Sequence, residues 1–500
     1  MQTLRKICDR AGERPRVIDL HTHTFNALYL PVQGIFWSWC AHFHVPRAIG
    51  LAVGVVVELI TIGRSGVRRP APTSVREEEI HAEELLRELV EDVPEAVLYD
   101  DRVQEGLREA GGEAELEALR ASRVPHRELV DRALTRLFER FRDAVPPSIF
   151  LEEEDLRGMD EGAVRDAAWR RWLRWIALMT SRDTNIAGTL CDVSPGVGLF
   201  IHHMMDMENW YRFRSFYSVR PVQLSLVRDL LVGSDGRLVP FVAFDPKRGT
   251  GLKEVKAGIE LGCAGVKFYP ANGYKPSSNG TKIQKAVDAL FEWCEAEGVP
   301  IFTHCTPSGF EAKIGKSGCN ADPELWTPVL KRWPGLRLCF GHAGGHKGWV
   351  GETDDKCGKG KKAFAEKVIE LCSDPNLQVY CEIGYLSTLF QDGPRDKFTK
   401  QLLIWTGPSE TLRRRICFGT DWHMPSMVVR YSPDEYHRLF DEIFLNDALK
   451  TWRDDFFAGN AARFLGLRAY ARRMANVLSA QAVAYLESLD GKEGNAESTI

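Results

Sequence analysis

Eight short apolar runs punctuate the chain, each ending in polar or turn-forming residues. They are VIDLHTH (17–23), LFIHHMMD (199–206), LVPFVAFDP (238–246), AGVKFYP (264–270), VPIFTHC (299–305), LRLCFGHAG (336–344), LQVYCEIGY (377–385) and RICFGTDW (415–422). They are rich in β-branched and aromatic residues with little polar alternation, the pattern of parallel strands covered on both faces. From the second run onward most gaps carry helical spacing. In KIQKAVDALFEWCEAEG, Ile283, Ala286, Val287, Leu290 and Phe291 recur on one face, and Gly298 closes the helix. Eight strands alternating with helices predict an α/β fold, a (β/α)8 TIM barrel over residues 14–475.

The first gap, from residue 24 to 198, breaks this rhythm and is far longer than an ordinary βα connection. Much of it has helical patterning. Ser74 and Glu77 have capping-box spacing ahead of EEIHAEELLRELV, and HRELVDRALTRLFERF and AVRDAAWRRWLRWIALM follow. Trp169, Trp172 and Trp175 recur at i, i+3 and i+6, as expected of a packing stripe. The last of these helices is assigned to the barrel and residues 26–165 to a helical insertion. The insertion leaves from the C-terminal end of the first strand, the face where barrel active sites lie, so it is placed to cap the site.

Within it, residues 48–62 (AIGLAVGVVVELITI) are apolar apart from Glu58. The run is shorter than the roughly 20 residues a bilayer span requires. A buried helix is expected, with contact to a lipid surface or to a second subunit of a homo-oligomer as the lesser alternatives. Residues 487–500 are polar and Gly-rich and are expected to be disordered.

Composition narrows the class. A chain of 500 residues with 44% hydrophobic and 27% charged content is of ordinary globular type. Its net charge of −4 gives no basic excess for nucleic acid. The N-terminal residues are basic but have no apolar core behind them, so no secretory signal is expected there. The 12 cysteines form no CxxC pair, and Cys339 and Cys417 lie inside apolar runs. Buried thiols in a reducing cytoplasm are expected, rather than disulfides or a cysteine-based zinc site.

The candidate chemistry lies at the strand ends. His21 and His23 are two residues apart, so both face the same side of an extended strand, which in a barrel is the interior. Two such imidazoles can share a Zn2+ ion. His304 ends the fifth strand, His342 the sixth and Asp421 the eighth. Four strands thus bring potential ligands or acid–base groups to one end of the barrel.

IDLHTH, GVKFYP, FTHC, FGHAGG, FGTDW and GNAARFLGL (459–467), in that order, resemble the amidohydrolase superfamily, most closely its amidohydrolase-2 branch of metal-dependent hydrolases and decarboxylases. The likeness covers residues 14–24 and about 180–470 and leaves out the insertion. It implies that His21, His23, His304 and Asp421 hold a divalent metal, Zn2+ by preference, with one metal favoured over two. Asp421 would also orient or deprotonate the water on that metal. His342 would be a catalytic acid or electrophile, or a ligand to a second metal. Lys267 would be either a carboxylated lysine bridging two metals or an ammonium that grips an acidic substrate group.

Around them, Asp19, Tyr269, His346, Glu382, Trp422 and His423 are candidates to line the pocket or brace the ligands; Asp19, two residues before His21, could do so by hydrogen bonding. Of the adjacent His202 and His203 only one can face inward, and Gly344 and Gly345 suit a tight turn. The expected function is a cytoplasmic hydrolase whose metal-bound water attacks an amide, ester or lactone carbonyl of a small molecule. A non-oxidative decarboxylase on the same metal site is the alternative within the family. A catalytically decayed barrel serving as a binding scaffold is the alternative of another class.

Overall fold

The computed structural model describes residues 14–64, 82–91, 93–121, 126–144, 161–216, 222–353, 356–358, 362–424 and 432–490. The strands are β1 (Ile18–Thr22), β2 (Leu199–His203), β3 (Leu238–Ala243), β4 (Gly265–Phe268), β5 (Ile301–His304), β6 (Leu338–Gly341), β7 (Val379–Ile383) and β8 (Ile416–Phe418). Each lies inside one of the eight apolar runs. They pair in parallel, in chain order. Beyond β8, Trp422 bridges Thr22, and the Asp421 N–H donates to the His21 carbonyl at 2.7 Å. These bonds join the first strand to the last, so the sheet is the expected barrel.

Period-two alternation along the strands explains where the site lies. Outward positions such as Phe200, Val242, Phe268, Phe340 and Phe418 pack against the surrounding helices. Inward positions Phe241, Phe302, Cys339, Tyr380 and Cys417 belong to a second apolar layer. Two residues further along the same faces the chain turns polar: Ile201 is followed by His203, Gly265 by Lys267, Phe302 by His304, and Tyr380 by Glu382. The floor of the barrel is therefore apolar and its C-terminal mouth is ionisable.

The insertion holds seven α-helices among the described residues. They are α1 (Val32–His42), α2 (Arg47–Arg64), α3 (Ala82–Glu91), α4 (Asp101–Glu109), α5 (Glu113–Ala121), α6 (His126–Ala144) and α7 (Glu161–Met179). Their apolar faces form a core separate from the barrel's. Ile49, Val53, Val56, Val57 and Ile60 of α2 are buried there, so the apolar run 48–62 is covered by its own neighbours. Among the described residues no helix is long and apolar enough to cross a membrane. The capping-box pair Ser74 and Glu77 lies outside the described residues.

Three expectations are corrected. Helix α7 turns most of its apolar face to the insertion core, and among its described residues Leu178 joins the barrel's. Its Trp169, Trp172 and Trp175 stand in the insertion core, with Trp169 stacked on Trp172 at 5.0 Å and Phe138 and Phe141 beside them. The barrel's own helix is α8 (Asp183–Val193), through Ile186, Ala187 and Leu190. Helical spacing marks a buried face without saying which of two cores receives it. The tail also begins later than expected, because a helix runs over Ala480–Leu489; residues 491–500 lie outside the described residues.

Third, the cysteines are not all thiols. Among the described residues nine are free and buried, as expected, but Cys319 and Cys357 are joined, with their Cα atoms 5.4 Å apart. They lie on the loops after β5 and β6, which are distant in sequence and adjacent in the barrel, so spacing along the chain offered no sign of the pair.

Candidate metal centre

β1 delivers Asp19, His21 and His23 to the barrel interior by alternation, and Asp421 reaches the same corner from beyond β8. His21 Nε2 and His23 Nε2 each lie 3.2 Å from Asp421 Oδ1. All three side chains are buried. The ring protons are fixed by their partners. His23 Nδ1 faces the His203 carbonyl at 3.0 Å, and a carbonyl only accepts, so the proton sits on Nδ1 and Nε2 is a bare lone pair. Lys267 Nζ donates to His21 Nε2 at 2.9 Å, which leaves the His21 proton on Nδ1, directed at Glu382 Oε2 3.2 Å away. Two unprotonated nitrogens and a carboxylate oxygen thus converge, and of the two nitrogens only that of His21 takes a proton from a neighbour, the Lys267 ammonium, among the described residues. Such a donor set fits a divalent cation of zinc type.

The other expected residues divide. His304 lies in the same cavity, its ring 4.9 Å from that of His342, but its Nε2 is 2.8 Å from the Ser308 carbonyl and 3.1 Å from Thr306 Oγ1. It therefore stands outside the group formed by His21, His23 and Asp421. His342 follows β6 in a left-handed conformation, φ 62°, and Asp421 is left-handed too, φ 59°. Such backbone is costly for a residue with a side chain and is characteristic of functional sites. His203, rather than His202, faces inward, with its ring 5.0 Å from that of His21. Gly344 and Gly345 both take positive φ, as a tight turn requires.

Asp19 braces the barrel seam rather than a ligand ring. It accepts from the His21 and Thr420 backbone N–H groups at 3.1 and 2.9 Å and from the Thr420 hydroxyl at 2.6 Å. The carboxyl that meets a ligand ring is Glu382. Tyr269 and His346 line the cavity. Trp422 and His423 do not. Trp422 is packed in the barrel's outer core, and His423 is enclosed by Phe25 and Trp175 with its Nε2 3.3 Å from the Phe25 carbonyl. Beyond β8 the chain leaves the strand, so alternation no longer says which side chains face the mouth.

Burial governs the charges. It holds His23, His304 and His342 neutral, down at about 3, with the Lys267 charge acting in the same direction. His21 is pushed well down for the same reasons. Neutral imidazoles are the ligand form. Burial pushes Asp421 up to about 6, against the pull of His342 and Lys267. It brings Lys267 down to about 8, opposed by Asp421 and Glu382. Glu382 is driven well above the usual carboxyl range, only partly offset by the hydrogen bond from the His342 N–H.

These groups form the floor of a cavity of about 550 Å³. Its walls include Trp39 and Phe43, at the end of α1 and just beyond it, together with Phe310 from the loop after β5. Sequence reading missed this pair, although their i, i+4 spacing puts both on one helix face. Lys347 and Lys356 also line the cavity, and Lys356 pairs with Glu311 at 3.3 Å.

The sequence pattern of the family described as amidohydrolase matches residues 18–467. Curated relatives match more locally. The dihydroorotase of Yersinia pseudotuberculosis is 27% identical over 92 residues, 18% of this chain and 26% of the dihydroorotase. That of Serratia proteamaculans is 29% identical over 90 residues, with the same shares. The chain thus spans about a quarter of the length of these relatives. Solved structures with some likeness include a probable 2-pyrone-4,6-dicarboxylic acid hydrolase from Acinetobacter baumannii, at 12% identity, 56% of this chain, 86% of that one and a TM-score of 0.37. Another is 5-carboxyvanillate decarboxylase from Sphingomonas paucimobilis, at 13% identity, 55% of this chain, 80% of that one and a TM-score of 0.37. At these scores neither bears on what this chain acts on. The family match is of another order, because it takes in all eight strands and the histidines and aspartate at their ends: the chain belongs to the amidohydrolase family of metal-dependent enzymes.

Proposed function

We infer that this chain is a metal-dependent hydrolase of amide, ester or lactone bonds in a small molecule, working on one divalent cation, Zn2+ by preference. The observation that carries this reading is the approach of His21 Nε2 and His23 Nε2 to Asp421 Oδ1, buried acceptors that a shared cation would satisfy together. His21, His23 and Asp421 would hold the ion, and His304 would join them from the rim once its Nε2 leaves the Ser308 carbonyl. When bound, such an ion acidifies water and polarises the carbonyl under attack.

The chain's own groups supply the proton handling. Asp421, holding the ion, would be placed to take a proton from the attacking water. His342 donates from Nδ1 to the Gly384 carbonyl at 3.3 Å, which leaves Nε2 as the atom that can exchange a proton with substrate. Lys267, as an unmodified ammonium, would leave His21 when the cation arrives and grip an acidic group of the substrate. The insertion over residues 26–165 would act as a cap, closing the cavity through Trp39 and Phe43 and excluding bulk water. The nine buried thiols among the described residues suit a reducing, cytoplasmic setting, with the Cys319–Cys357 pair as the exception there.

The test is metal analysis with turnover. His23→Ala and Asp421→Asn should each lose bound Zn2+ and activity while staying folded, whereas Lys267→Gln should retain one ion per chain. Full metal content in His23→Ala would remove the proposal. Panels of amides, esters and lactones, run beside an assay for released carbon dioxide, separate hydrolysis from decarboxylation. A metal-loaded protein inactive on all of them would favour the scaffold reading.

A further inference from the structure

Glu382 comes from β7, which supplies none of the proposed cation ligands, yet its side chain is wholly buried beneath two site histidines. One oxygen, Oε2, lies 3.2 Å from His21 Nδ1 and 3.0 Å from the backbone nitrogen of His342. A backbone N–H only donates, and the ring proton of His21 is on Nδ1 because Lys267 donates to Nε2. Oε2 therefore accepts both. The other oxygen, Oε1, has no hydrogen-bond partner among the described residues and is seated between two glycines. A Cβ at Gly384 would stand 2.1 Å from Oε1, and one at Gly419 2.2 Å. Neither glycine has a positive φ, so the missing side chains serve the carboxyl rather than a turn.

We propose that Glu382 is a positioning residue that ties His21 and His342 to a single oxygen atom. It turns His21 so that Nε2 meets the cation, and it anchors the left-handed backbone of His342 so that the ring faces the cavity. The role rests on the metal-centre reading above. A carboxyl on the far nitrogen of a ligand imidazole fixes the tautomer and ring orientation, and losing such a partner typically weakens metal binding 10–100-fold. The ligand atoms of His21, His342 and Glu382 also lie within 4.8 Å of one another, a spacing a second cation could bridge. Two N–H groups directed at Oε2 argue against that, since both would have to turn away.

The experiment uses the metal-free full chain, titrated with Zn2+ by calorimetry and with Co2+ by visible absorption. Glu382→Ala should bind Zn2+ 10–100-fold more weakly and shift the Co2+ bands. Glu382→Gln, which keeps an oxygen at the same place, should recover most of the affinity. Gly419→Ala leaves Glu382 in the chain but drives it off its seat, so it should resemble Glu382→Ala and carries the test if the latter fails to fold. Wild-type affinity and an unchanged Co2+ spectrum in Glu382→Ala and Gly419→Ala would overturn the positioning role. Two ions in the wild type and one in Glu382→Ala would overturn it too, by making Glu382 a ligand. His23→Ala is the control: if it binds Zn2+ as the wild type does, the metal-centre reading itself fails, whereas loss in His23→Ala alone refutes only the role of Glu382.

Discussion

Replacing Glu58 with Gln should make the insertion core more stable at pH 8 and change little near pH 4.5. Glu58 is the single acidic residue in the apolar run 48–62 and is 6% exposed. Its Oε2 takes a 2.6 Å hydrogen bond from Gln33, whose own oxygen accepts from Arg102 at 3.1 Å, while Oε1 has no partner among the described residues. Burial pushes the carboxyl from an ordinary 4.5 up to about 7, with the Gln33 hydrogen bond and the Arg102 charge pulling back. A folded-state pKa above the unfolded one means that the folded insertion holds this proton more tightly. Its stabilising effect is complete below pH 4.5 and is lost as pH rises through about 7. At 1.36 kcal/mol per pKa unit the loss is about 3 kcal/mol.

An amide in the same place keeps an acceptor for Gln33 and cannot ionise, so Glu58→Gln should escape the loss. The assay is urea unfolding across pH 4.5–8 followed by tryptophan fluorescence, to which Trp169, Trp172 and Trp175 of this core contribute beside barrel tryptophans such as Trp326 and Trp349. The two proteins should converge at the acid end and separate by about 3 kcal/mol at pH 8. Parallel profiles would refute the reasoning, since they would mean that Glu58 ionises as freely in the folded protein as in the unfolded chain.

Two further outcomes follow from the geometry around the cavity. Trp39→Ala and Phe43→Ala, which remove wall contributed by the insertion, should leave metal content intact while KM rises about tenfold or more, the loss of about 1.5–3 kcal/mol of apolar contact per side chain; an unchanged KM in both would deny the cap a part in substrate binding. Cys319→Ser opens a crosslink over a sequence separation of 38 residues, worth up to about 4 kcal/mol by chain entropy. It should lower the Tm and abolish sensitivity to reductant, and a wild-type Tm indifferent to reductant would mean that the bond contributes no stability.

Much of this protein is legible in its sequence, because the signals concerned are local. All eight strands lie inside the apolar runs read from the chain, and the spacing of His21 and His23 assigns both to the barrel interior, since a strand repeats every two residues. The burial of the 169, 172 and 175 tryptophans is equally a matter of helical period. What only the tertiary structure decided depends on which segments meet. Helical spacing could not say that α7 packs mainly in the insertion, with Leu178 alone of its described residues in the barrel core, nor could cysteine spacing join Cys319 to Cys357. Where β8 ends and the backbone turns left-handed at Asp421, alternation ceases to predict direction, so it does not reveal that Trp422 and His423 are packed away from the cavity. The same limit separates Asp19 from Glu382. Both face the barrel interior by parity, but which carboxyl reaches the His21 ring depends on the distance between β1 and β7, strands more than 350 residues apart in the chain. A contact across the barrel is set by closure of the whole sheet, which no stretch of sequence encodes by itself.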